Sequence, residues 1–227
     1  MSRIVLGFVL GFLIPFIARR LGKILPATTG IILYRLLHVP HFAHANDPLR
    51  YKLLQQKWKC LFLNAFIFAV LNASLFFLAH LYLPAQIRLY ADIFIWIILL
   101  AANVDMRFYL LPDCLTIPLL LSGFLFSTQT SVISTEYSIY GALFGYVIVT
   151  ISVFLTCTRH THIFGAGDSK MIIAIGAWLG VQGLNYTFLA SFLLFVIYSF
   201  LLKSRSGAYG PALGLASLLS FFILYAK

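Results

Sequence analysis

Residues 93–113 read Ile-Phe-Ile-Trp-Ile-Ile-Leu-Leu-Ala-Ala-Asn-Val-Asp-Met-Arg-Phe-Tyr-Leu-Leu-Pro-Asp: an uncharged apolar stretch that ends on Asp105, with a second acid at Asp113. The stretch belongs to a run over 87–104, and similar runs, uncharged or nearly so, occupy 4–18, 60–82, 114–126, 139–157, 171–183, 186–202 and 208–225. Over all 227 residues, 62% are hydrophobic and 10% charged, and the mean hydropathy is +0.98. No water-exposed surface has that composition. The reading is therefore an all-α, polytopic transmembrane helix bundle of about eight spans. Several runs are shorter than the ~20 residues that cross ~30 Å of hydrocarbon. The 114–126 run is either a short span or a half-helix shielded by its neighbours.

The first run has the length of a signal peptide. Its positive charges, Arg19, Arg20 and Lys23, follow the run instead of preceding it, and no small-residue cleavage site is present, so it is expected to remain as a span. Residues 1–59 then form an N-terminal span plus a short basic loop, and 60–227 the membrane core. The 19–59 stretch is the only soluble segment of any size in this reading.

Lys and Arg near span ends are held on the cytoplasmic side. Numbered from the first span, the odd loops hold thirteen of the sixteen: Arg19, Arg20, Lys23, Arg35, Arg50, Lys52, Lys57, Lys59, Arg107, Arg159, Lys170, Lys203 and Arg205. The even loops and chain ends hold three, Arg3, Arg88 and Lys227. Both termini are thus expected outside and the odd loops in the cytoplasm. Asp105, Asp113 and Asp168 all fall on the cytoplasmic side, although only basic residues entered the count.

The net charge of +10 is not a nucleic-acid signal, because the basic residues punctuate apolar runs and form no stripe or recognition module. Cys60, Cys114 and Cys157 stand far apart without a CxxC, which excludes a disulfide framework and a thiolate zinc site of neighbouring ligands. His38, His41 and His44 recur every third residue, but Pro40 and Pro48 argue against a helix there and no ligand set completes a metal site. No metal is expected.

Two loops carry the chemistry. In the first, Asp105 ends its apolar run, followed by Arg107, Pro112 and Asp113. Asp105 is expected at a helix C-terminus, where the dipole disfavours a carboxylate. The second reads Phe164-Gly165-Ala166-Gly167-Asp168-Ser169-Lys170 and opens another run. Gly165 and Gly167 permit tight backbone before a helix, and Asp168 falls in its first turn, where the dipole favours a carboxylate. Two carboxyls in unlike environments suit an acid/base pair that shares a proton and polarises water for attack on a peptide carbonyl. That is aspartic protease chemistry without a metal.

D-x-R-x-x-x-L-P-D before one span, followed by G-A-G-D-S-K opening another, resembles the type IV prepilin leader peptidases, membrane aspartic proteases of the GxGD kind. The likeness covers about 90–225, including Gly176-Ala177-Trp178-Leu179-Gly180 and Tyr209-Gly210-Pro211-Ala212-Leu213. It implies that Asp105 and Asp168 are catalytic and that Asp113 is a turn or helix-capping residue. It also implies cleavage of short basic leaders from prepilins or pseudopilins at the cytoplasmic face of a bacterial inner membrane. Many members then methylate the new N-terminus with S-adenosylmethionine, whereas the peptidase step needs no cofactor. Members with an extended cytoplasmic loop carry paired CxxC motifs there. Residues 19–59 contain no cysteine, so the chain is a short form in which methylation is left open.

Other readings stand beside these. Lys170 is either an interfacial charge or a group holding Asp168 ionised and orienting the substrate. Asp92 is expected to pair with Arg88, four residues earlier. His160 and His162 either tune the acid pair or mark the interface. The aromatic residues fit interfacial anchoring and packing. The rival functions are a GxGD protease cutting inside the bilayer and a non-catalytic assembly or transport subunit whose acids serve protons or ion pairs. Partners are prepilin-like substrates and the bilayer, with oligomeric state open.

Overall fold

The computed structural model describes residues 2–24, 48–157, 166–202 and 209–226. His38, His41, His44, Asp47, His160, His162 and Gly165 lie outside them. The described residues form seven helices: α1 Ser2–Ile24, α2 Pro48–Tyr82, α3 Arg88–Phe108, α4 Asp113–Gln129, α5 Thr135–Cys157, α6 Ala166–Leu202 and α7 Gly210–Tyr225. The all-α reading holds. Helix claims part of the expected soluble segment, because α1 continues to Ile24 and α2 begins at Pro48.

Stretches long and apolar enough to cross a membrane are Ser2–Leu21, Lys59–Tyr82, Arg88–Phe108, Thr135–Phe154 and Gly167–Ile197. The chain is a multi-pass membrane protein. At 17 residues with Pro118 inside, α4 is about 26 Å long, and α7 has 16 residues. Both are shorter than ~30 Å of hydrocarbon, so about eight stands as a count of apolar helical segments and not of full-length spans.

Contacts divide the chain into two compact units, Met1–Phe77 and Leu78–Lys227. In the first, α1 packs on α2 through close ring pairs, Phe12 with Phe62 at 6.2 Å and Phe16 with Phe62 at 5.8 Å. Asn72 donates from Nδ2 to the Gly7 carbonyl at 2.7 Å. A buried amide bonded across two helices is how apolar membrane helices gain registry without a hydrophobic drive.

The second unit is built around Trp178, which is fully buried. Its ring lies 4.8 Å from Phe94 and 5.1 Å from Phe126, and Phe221 stacks on Phe94 at 5.0 Å, so α3, α4, α6 and α7 share one aromatic cluster. Trp178 donates from Nε1 to the Leu119 carbonyl at 2.8 Å, and its own carbonyl accepts from the Tyr225 hydroxyl at 2.8 Å. These bonds satisfy the polar atoms that so buried an indole and phenol carry. Helix α5 joins through Gly141, where a side chain would collide with the Gly176 carbonyl, and through Ser138, whose hydroxyl donates to the Ala177 carbonyl at 2.5 Å.

Helix α6 is not straight. Gly180 has φ 64° and ψ −175°, a conformation all but closed to residues with a β-carbon. Seen from Gly145 on α5, the backbone of Ile173 and the side chain of Leu184 both lie 3.3 Å from a β-carbon built there. Eleven helical residues would separate them by about 16 Å along a straight axis. The chain therefore folds back at Gly180 into two limbs. The separate runs expected over 171–183 and 186–202 are these limbs, with the turn falling earlier than their boundary. The reversal returns Ser191 to the end of the unit where α6 began.

Candidate active site

Asp105 sits in the last turn of α3 and is 5% exposed. Tyr109 ends that helix in the left-handed region at φ 52°, its N–H bonded to the Asp105 carbonyl at 2.9 Å. A carboxylate faces the negative end of the dipole there. The compensation comes from α7: the Gly210 N–H, first of that helix, donates to Asp105 Oδ2 at 2.9 Å. The positive end of α7 is thus presented to the carboxyl that α3 disfavours. The approach requires glycine, since a β-carbon on Gly210 would stand 2.6 Å from that oxygen.

Asp168 lies in the first turn of α6, as its place after two glycines predicts. Tyr209 precedes Gly210, the first residue of α7. Burial pushes the Tyr209 phenol above its usual range, the hydrogen bond with Ser191 opposes that shift, and the Asp168 carboxylate adds to it. The two acids are 63 positions apart in sequence (168 − 105); the Gly210 N–H bonds Asp105, and Gly167, which precedes Asp168, packs on Leu111 of the connection that follows Asp105.

The two loops also meet directly. Pro112 is buried and extended (φ −75°, ψ 146°) in the N-cap position of α4, with no side-chain cap bond. Asp113, expected as a turn or capping residue, is the first residue of the helix, and its Oδ1 takes Lys170 Nζ at 2.5 Å. Lys170 was expected at the interface or on Asp168; its ion pair is with Asp113, across the seam between the two motifs. Beside that pair Gly167 packs on Leu111, where a β-carbon would come within 2.6 Å of the Leu111 Cβ. Arg107 lies in the last turn of α3, where the dipole favours a cation. Asp92 is buried on α3, and Arg88 turns its Nε to the Leu83 carbonyl at 3.0 Å.

Sequence reasoning placed no role on Tyr209, Gly210 or Ser191. The available signal was a glycine before a proline opening an apolar run, which marks a helix start with a free amide. Among the described residues no group of three His, Cys, Asp or Glu side chains gathers to hold a metal. The arrangement offers two carboxyls at one end of a helix bundle, one partly exposed and one buried against a backbone donor. Such unlike carboxyls can divide the work of general acid and general base.

Residues 93–200 match the model of the type IV leader peptidase family. The chain is 38% identical over 132 residues to the prepilin leader peptidase/N-methyltransferase of Escherichia coli (strain K12), covering 54% of this chain and 58% of that one. It is 31% identical to the protein of the same name from Vibrio cholerae, covering 54% and 49%, and 31% identical to that of Neisseria gonorrhoeae, covering 52% and 43%. The chain spans about half the length of the curated relatives it matches. No solved structure matches.

Proposed function

We propose that this chain, whose residues 93–200 match the model of the type IV leader peptidase family, is a membrane aspartic endopeptidase that removes the basic leader of prepilins or pseudopilins, with Asp105 and Asp168 as its catalytic pair. The observation that supports the pair best is that Gly167, next to Asp168, packs on Leu111 of the connection that follows Asp105, while the Gly210 N–H bonds the Asp105 carboxyl. One carboxyl takes a proton from water as it attacks the scissile carbonyl, and the other gives a proton to the oxygen or departing amine. The pair titrates as a unit, so base and acid are roles of the pair.

The substrate class fits the setting. A prepilin has a charged leader in water and an apolar helix in the bilayer, so its scissile bond stands at the interface. Asp105 and Asp168 lie at helix ends, and the distribution of Lys and Arg favours the cytoplasmic face of a bacterial inner membrane. Methylation of the new N-terminus with S-adenosylmethionine is a separate proposal, which rests on the second half of the relatives' names. In-membrane cleavage of a prepilin with a basic leader tests the first proposal, and the mass of the mature N-terminus tests the second. Release of an unmethylated product would leave the peptidase alone, and no cleavage of several prepilins would favour an assembly subunit.

A further inference from the structure

Among the described residues, the Asp105 carboxyl is bonded from outside α3 by the Gly210 N–H. That amide belongs to the segment 209–211, which opens α7. The segment is tied on its other side to α6, because the Tyr209 hydroxyl and Ser191 Oγ share a hydrogen bond of 2.7 Å. The Tyr209 ring also packs edge-on against Phe195, one turn along the same limb, with centroids 5.5 Å apart. Ser191 and Phe195 stand on the returning limb of α6, whose outgoing limb starts with Asp168. Tyr209 and Gly210 therefore span the site from the helix that carries one acid to the carboxyl of the other.

We propose that Tyr209-Gly210 is a positioning strap for the acid pair: Ser191 holds Tyr209, Tyr209 fixes Gly210, and the Gly210 amide sets the place and orientation of the Asp105 carboxyl relative to Asp168. The inference rests on the peptidase reading above and deepens it. A strap is needed because Asp105 sits in the last turn of its helix, which ends at a left-handed Tyr109 and offers the carboxyl no donor from α3. Acid/base catalysis tolerates little misplacement, and a shift of about 1 Å can cost about 100-fold in rate. Neither Tyr209 nor Gly210 is required to touch the substrate, and the chain's own geometry assigns both to positioning.

The test uses the full chain in membranes, with a basic-leader prepilin as substrate, and reads kcat and KM separately. Tyr209→Phe keeps the ring on Phe195 and removes only the hydroxyl. It is expected to lower kcat about fivefold, the size of one hydrogen bond, with KM unchanged. Ser191→Ala should do the same. The double variant should lose no more than either single one, because both changes cut the same link. Gly210→Ala keeps the amide but drives a β-carbon into Asp105 Oδ2, and should lower kcat about 100-fold. Thermal unfolding of Tyr209→Phe and Ser191→Ala should stay close to that of the unaltered chain, which separates positioning from folding.

Undiminished kcat in Tyr209→Phe, losses in the two single variants that multiply in the double, or a loss confined to KM would each overturn the strap while leaving the peptidase reading in place. Absence of cleavage by the unaltered chain would overturn that reading and the strap with it.

Discussion

Gly167 of α6 and Leu111 of the α3–α4 connection approach so closely that a β-carbon on the glycine would stand 2.6 Å from the leucine Cβ. The contact is a seam: on one side is the loop that follows Asp105, on the other the turn that presents Asp168. Gly167→Ala must push the loops apart, because the nearest atoms are the Cβ and backbone of Leu111 and not the end of a flexible chain. Overpacking of this kind costs about 1–3 kcal/mol. We expect lowered cleavage with the protein still in the membrane, measured as initial rate per enzyme in vesicles. A rate equal to that of the unaltered chain would show that the seam does not set the acid pair.

Lys170 and Asp113 form an ion pair across the same seam, with side chains 48% and 40% exposed. At that exposure solvent screens the attraction, so Lys170→Met should change stability by less than about 1 kcal/mol. Activity should fall modestly. The exchange Lys170→Asp with Asp113→Lys should recover part of what either single reversal loses, a coupling read from a double-mutant cycle. Independent effects would mean that the pair does not join the loops.

The fold-back at Gly180 is a backbone requirement. Gly180→Ala must hold φ 64° and ψ −175° with a β-carbon, at a cost of about 1–3 kcal/mol. A lowered Tm in detergent is expected, together with a loss of cleavage because Ser191 no longer returns to Tyr209. An unchanged Tm would contradict the conformation assigned to the turn.

Trp178 joins four helices at zero exposure. Trp178→Ala should destabilise by about 3–5 kcal/mol and lower the amount of protein in the membrane. Trp178→Phe keeps most ring contacts and leaves the Leu119 carbonyl without its donor, so its loss should be smaller. Equal losses in the two variants would mean that the hydrogen bond matters more than the packing.

The apolar runs were legible because a span announces itself by composition, and over the described residues each of the eight expected runs falls on helix. Asp105 and Asp168 stood out because acids are rare in such a chain and each closes or opens a run. The partners of these residues were not legible. That Lys170 meets Asp113, 57 positions earlier in the chain, depends on α4 and α6 being neighbours, and hydropathy carries no information on which helices touch. Gly210 was legible only as a helix start, a glycine before Pro211; that its amide meets Asp105 depends on α3 and α7 being neighbours. The turn of α6 was expected after 183, where the apolar run weakens, whereas φ at Gly180 placed it earlier. Two glycines, Gly180 and Gly183, were available to turn the chain, and the period of the run did not discriminate between them.

The central claim is that Asp105 and Asp168 form one catalytic pair. Its most direct test is cleavage of a basic-leader prepilin in membranes by the unaltered chain and by Asp105→Asn and Asp168→Asn, each at matched membrane levels. Asn keeps the shape and removes the ionisable proton. The account predicts cleavage by the unaltered chain and none above background in either variant, with the double variant no worse than the single ones. Cleavage that persists in either single variant would contradict it.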